Sequence, residues 1–148
     1  MKPFTLYLLH SSHTDVGYTD TQEKMKFHHV AFIREVLELI EHEPRFKWNC
    51  ESYWCVEQFL KEATPEETQA FVRAVKKGNI GLSASYLNLT DLVPAYVHQG
   101  IMDACTAQRA ALGIPARSAM TADVNGYSWG FADILAQQGV TRLMSSIH

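Results

Sequence analysis

His13 and Asp15 stand two residues apart in the segment His10-Ser11-Ser12-His13-Thr14-Asp15-Val16-Gly17-Tyr18. On an extended backbone that spacing turns both side chains to the same side. Imidazole nitrogen and carboxylate oxygen are donors that a borderline cation such as zinc accepts, at about 2.0–2.2 Å, and a catalytic zinc keeps one position open for substrate. A further carboxylate, Asp123, opens the segment Asp123-Val124-Asn125-Gly126-Tyr127-Ser128 and supplies a third candidate ligand. Each residue also has a plainer reading. His13 fits a hydrogen-bonded loop residue, Asp15 a turn or cap residue, and Asp123 a turn former ahead of Asn125-Gly126. The surrounding elements decide between the two.

Phe4–Leu9 is apolar on both alternating faces, the pattern of a strand covered on two sides by helices. A helical stripe follows from about Thr21 to His42, with Met25, His29, Phe32, Ile33, Val36 and Ile40 on one face. Asp20 and Glu23 have capping-box spacing at its start, and Pro44 stops it. Phe46–Cys50 reads as a second strand and Ser52–Ala63 as a helix. Thr64-Pro65-Glu66-Glu67 then opens a helix with Thr at the N-cap, Pro at N1 and Glu at N3, closed by Lys76-Lys77-Gly78. Asn79–Ala84 is a third strand, Pro94 to Leu112 a helix ended by Gly113, and Ser118–Ala122 a fourth strand. Ser128–Gln138 is a helix ended by Gly139, and Val140–Ser145 a fifth strand. Strand and helix in regular alternation predict an α/β fold, a parallel sheet with helices outside it.

In such folds, sites collect beyond the carboxyl ends of the strands. The segments carrying His13, Asp15 and Asp123 both follow strands, so one sheet edge holds all three. Five strands are too few for an ordinary closed α/β barrel. The chain is expected to be a single domain over residues 1–148 and the front part of a larger one.

The 148 residues are 47% hydrophobic and 20% charged, a globular composition rather than a disordered one. A net charge of −3 offers no basic footprint, which argues against a nucleic-acid partner or an anionic membrane surface. No apolar run approaches the roughly 18 residues of a membrane span, and the N-terminal run is too short for a signal sequence. Cys50, Cys55 and Cys105 form no even disulfide framework and no C-x-x-C pair, so they read as small buried hydrophobes in a reducing, cytoplasmic compartment.

The segment His10–Tyr18 resembles the opening H-S-H-N-D-P-G-W motif of the glycoside hydrolase family 38 α-mannosidase domain. Asp123–Ser128 is similar to that family's second motif, a strand ending in D-P-F-G-H-S. The order of elements between them, including the Trp48 to Trp54 stretch, fits as well. The resemblance spans essentially the whole chain but only the first part of the family's catalytic domain, a (β/α)7-type barrel shared by glycoside hydrolases and deacetylases. It implies that His13, Asp15 and Asp123 hold Zn2+, that Asp123 is also the catalytic nucleophile, and that Tyr18 packs against the sugar where the family has Trp. Asp91, in the loop Tyr86–Asp91, stands where the family holds an acidic residue in the sugar site. The implied activity is zinc-dependent retaining hydrolysis of α-mannoside-like carbohydrates, with the acid/base carboxylate and a further His ligand lying beyond these residues. Val16 replaces the family's Pro, and an extra serine separates the two histidines, which weakens the match at the sugar more than at the metal. A metal-dependent carbohydrate deacetylase and a non-catalytic metal- or sugar-binding module are the alternatives. Oligomeric state is not legible.

His28 and His29 are adjacent on a helix and face different ways, a poor ligand pair. His98 reads as structural. Glu51, just past the second strand, is at the carboxyl edge, where it either lines a pocket or serves the following helix N-terminus. No Gly-rich phosphate loop, G-x-S-x-G elbow or cysteine signature is present.

Overall fold

The structure, a computed structural model, describes residues 3–90 and 92–146. Among the described residues, five helices and four short strands follow in the order α1 (Gln22–His42), β1 (Trp48–Cys50), α2 (Tyr53–Glu62), α3 (Pro65–Lys77), β2 (Ile80–Leu82), α4 (Ala95–Leu112), β3 (Ser118–Thr121), α5 (Trp129–Gln137) and β4 (Arg142–Ser145). β1 pairs with β2 and β3 with β4, both parallel. Parallel bridges Ser11 to Asn49 and Ser83 to Ser118 extend the arrangement at both joins. Neighbours in space are therefore neighbours in sequence, and every pairing has the same direction. Gly81 allows β1 and β2 to close up, because a Cβ there would collide with the Asn49 side chain.

Local sequence explains the helices. Thr64 caps α3 through Glu67 N–H while the Glu67 carboxylate accepts from Thr64 N–H, and Gly78 ends the helix in the left-handed region. α1 departs from expectation at its start. Thr21, not Asp20, is the N-cap, its hydroxyl accepting from Lys24 N–H, while Asp20 accepts from Thr21 N–H and pairs with Lys24 Nζ. The β-region backbone of Thr21 supplies the cap geometry one residue later than the spacing indicated.

Two clusters make the core. Val30, Ile33 and Val36 of α1 pack with Tyr53, Val56 and Phe59 of α2, Phe71 of α3 and the strands β1 and β2. A smaller one joins Met102 of α4, Ala119 of β3 and Phe131, Ile134 and Leu135 of α5. The cysteines are free and buried, as packing residues should be. Arg109 is buried in α4 with its guanidinium 4.9 Å from the centre of the Tyr53 ring, a contact the sequence did not signal.

The larger departure from expectation is at the first segment. Phe4–Leu9 forms no ladder and is not covered: Phe4 and Tyr7 are 83% and 81% exposed. Only its end reaches the sheet, where Asn49 N–H donates to His10 C=O at 2.7 Å. A continuous apolar run marks a segment as fit for two-sided burial but does not specify what covers it. β4 is likewise exposed along its length.

Candidate metal centre

The loop from His10 to Tyr18 leaves the bridge to β1 at the carboxyl edge and is pinned to α1, where the Thr14 hydroxyl and the buried His29 Nε2 are 2.7 Å apart. His29 is thus a packed histidine, edge-on to Trp54. Asp123 follows β3, its N–H donating to Ser146 C=O at 3.1 Å beyond β4. Its φ of 61° makes Asp123 the one non-glycine residue with positive φ among the described residues. Aspartate tolerates this region better than most residues, and a non-glycine placed there marks a position fixed by its surroundings.

From these two loops His13, Asp15 and Asp123 converge. One ligand atom from each lies within 4.8 Å of the others, and all three residues are exposed. The sheet thus brings together the three residues that the sequence put at one edge. The cluster carries two carboxylates and an imidazole, so its field favours a cation. The His13 imidazole is raised above its ordinary value of 6.5, chiefly by the hydrogen bond to Glu51. The charges of Glu51, Asp15 and Asp123 raise it further, and partial burial opposes them.

Glu51 is 6% exposed. Its Oε1 sits 2.7 Å from His13 Nδ1 and accepts from Asn88 Nδ2 at 2.6 Å, while Oε2 is buried without a partner among the described residues. It does not serve the N-terminus of α2. The N-cap there is Ser52, and the Tyr53 and Trp54 N–H groups donate to the carbonyls of Ser85 and Tyr86. Asn88 Oδ1 in turn accepts from Ala122 N–H at 3.2 Å.

These residues fit a zinc ion. With Nδ1 engaged by Glu51, His13 keeps Nε2 for a metal, and two carboxylates complete a three-donor set of the kind that leaves coordination positions open. Beside the cluster lies an open cavity of about 250 Å³ lined by Asp15, Tyr18, Trp48, Glu51, Leu87 and Asn88 among others. Tyr18 is 89% exposed at its rim. Asp91 lies outside the described residues. His10 is not part of the cluster and stacks on Phe46. Asn88 leaves no signal in the sequence, because its partners Glu51 and Ala122 lie 37 and 34 positions away.

A parallel α/β domain with an acid-imidazole cluster at its carboxyl edge belongs among the folds that do chemistry beyond their strand ends. More narrowly, the chain belongs to glycosyl hydrolases family 38: the model of that family's N-terminal domain matches residues 3–147. An α-mannosidase from Enterococcus faecalis V583 superposes with a TM-score of 0.79 at 18% identity, covering 93% of this chain and 16% of that one. A family 38 protein from Enterococcus faecalis gives 0.73 at 19% identity, over 91% of this chain and 16% of its own. A 4-alpha-glucanotransferase from Thermococcus litoralis gives 0.64 at 15% identity, over 91% and 21%. No functionally curated protein matches significantly. The chain thus spans about a sixth of the family 38 structures it matches. Among its described residues, no helix is long and apolar enough to cross a membrane.

Proposed function

We propose that this chain is the front part of a zinc-dependent retaining glycosidase acting on α-mannoside-like carbohydrates, its sequential parallel strands forming one side of a (β/α)7-type barrel. The observation that carries the reading is the convergence of His13, Asp15 and Asp123 at the carboxyl edge in a chain of family 38. His13, Asp15 and Asp123 hold the zinc, which when bound supplies a Lewis-acid contact for sugar hydroxyls. Asp123 supplies the nucleophile. Its carboxylate attacks the anomeric carbon as the bond to the leaving oxygen breaks, giving a glycosyl ester that water then cleaves. Tyr18 offers its ring to a sugar face at the cavity rim, and Asp91 an acidic contact to the sugar. The acid/base carboxylate is not assigned to any residue described above. Free, buried cysteines suit a cytoplasmic setting.

The test is to incubate the zinc-loaded chain with a mechanism-based fluorosugar of the manno configuration and to map any adduct by mass spectrometry. One glycosyl unit on the peptide containing Asp123, absent in Asp123→Asn, is the expected result. Zinc-dependent release of acetate from an N-acetylated sugar, with no adduct, would replace this reading with the deacetylase one. Turnover should favour activated aryl glycosides, because a missing general acid typically costs 10²–10⁴-fold when the leaving group needs protonation.

A further inference from the structure

A buried carboxylate is costly unless its oxygens are paired. Glu51 meets that condition on one side only, and all its partners belong to the walls of the cation site. His13 comes from the first loop, Glu51 from the end of β1 and Asn88 from the loop after β2. Ala122, whose N–H donates to Asn88 Oδ1, directly precedes Asp123. One chain of hydrogen bonds therefore runs from a ligand on one side of the cluster to the backbone that presents a ligand on the other. An ionised Glu51 carboxylate can only accept, so its bond with His13 is made to a ring proton on Nδ1. That tautomer leaves the Nε2 lone pair available. A metal on Nε2 would place a positive charge behind the imidazole that Glu51 touches, facing a buried carboxylate whose Oε2 has no partner among the described residues.

We propose that Glu51 and Asn88 form a positioning bracket for the cation site, Glu51 fixing the tautomer and ring orientation of His13 and Asn88 coupling Glu51 to the backbone of Asp123. The inference rests on the reading of His13, Asp15 and Asp123 as metal ligands. Neither bracket residue touches the metal. They act through the ligands, as partners outside the coordination sphere do when they restrict a histidine to its metal-binding geometry.

The experiment measures zinc affinity of the 148-residue chain by competition with a chromophoric chelator, alongside thermal melting of each metal-free variant. Glu51→Gln keeps the shape and removes the charge. It should weaken zinc binding about 10–100-fold, the usual cost of losing such a partner, while the metal-free chain melts at the same temperature or higher. Affinity falling while stability holds or rises is a signature that a merely structural residue does not give. Asn88→Ala should also weaken binding, and the double variant should lose less than the product of the two losses, since both act in one network. If Glu51→Gln binds zinc within about twofold of the unsubstituted chain while Asp15→Ala does not, the bracket is wrong and the cation site stands. If Asn88→Ala alone retains full affinity, the coupling to Asp123 is wrong. If Asp15→Ala binds zinc as well as the unsubstituted chain, the ligand reading falls and takes the bracket with it.

Discussion

The α3 helix and the two loops that carry the candidate ligands are held in opposite ways. α3 has its cap, its first-turn proline, its C-terminal lysines and its left-handed glycine within consecutive residues, and buries Phe71 completely. The loops at His10–Tyr18 and Asp123–Ser128 have little regular structure, and their placement comes from contacts to distant parts of the chain: Thr14 to His29, His13 to Glu51, Ala122 to Asn88. A scaffold specified locally can be perturbed without altering the site's chemistry. A site specified by long-range hydrogen bonds can be emptied without unfolding the scaffold.

The largest expected effect breaks the scaffold. Phe71→Ala removes a fully buried ring that packs 5.3 Å from Phe59, centre to centre. It should cost about 3–5 kcal/mol in denaturant unfolding. The zinc-induced rise in melting temperature should survive, however, because the variant's ligands are intact. A lost increment would mean that the core and the loops form one cooperative unit with no such division.

The second effect isolates the site. A ligand present at about 100 times its Kd stabilises the folded chain by about 2.7 kcal/mol, so zinc at that excess should raise the melting temperature clearly. Asp15→Ala should erase the increment while leaving metal-free melting unchanged, since Asp15 is exposed. A large drop in metal-free stability would instead make Asp15 a structural turn residue.

The smallest effect sharpens the contrast from the scaffold side. Arg34 and the Thr64 N–H hold the Glu67 carboxyl below the ordinary carboxylate value of 4.5. A depressed pKa in the folded state means that the stabilisation is present above that ordinary value and fades as pH falls through the lower folded one. Comparing Glu67→Gln with the unsubstituted chain from pH 7 to pH 3, the modest gap at neutral pH, about 0.2–1 kcal/mol for an exposed pair, should close on acidification. A gap independent of pH would put the contribution of Glu67 in packing, not charge.

The same division explains what the sequence disclosed. Every helix was legible, because stripes, caps and terminal glycines lie within a few residues of one another, and the only shift at the start of α1 was between adjacent cap formers, Asp20 and Thr21. The convergence of His13, Asp15 and Asp123 was legible from the spacing of two and from the place of Asp123 after β3, while the loop of His13 and Asp15 reaches the sheet edge through the Ser11 to Asn49 bridge rather than through a preceding strand. The covered strand expected at Phe4–Leu9 was not found, since burial depends on what lies opposite. The partnership of Glu51 with His13 and Asn88 joins residues 38 and 37 positions apart and leaves no local trace. Glu51 offered only its place after β1, and that signal was shared with an ordinary helix-end role.

The strand order has a consequence in time as well as in space. Because each strand lies beside the one before it, every pairing closes a single crossover, and the entropy of closing a loop grows only slowly with its length. Synthesis from the N-terminus delivers the crossovers in that same order. The cluster is different: His13 and Asp15 emerge early, and Asp123 reaches them only after β1, β2 and β3 have been laid side by side. The three side chains of the cluster therefore stand together only once β3 has joined β1 and β2, late in the order in which this stretch of polypeptide is made.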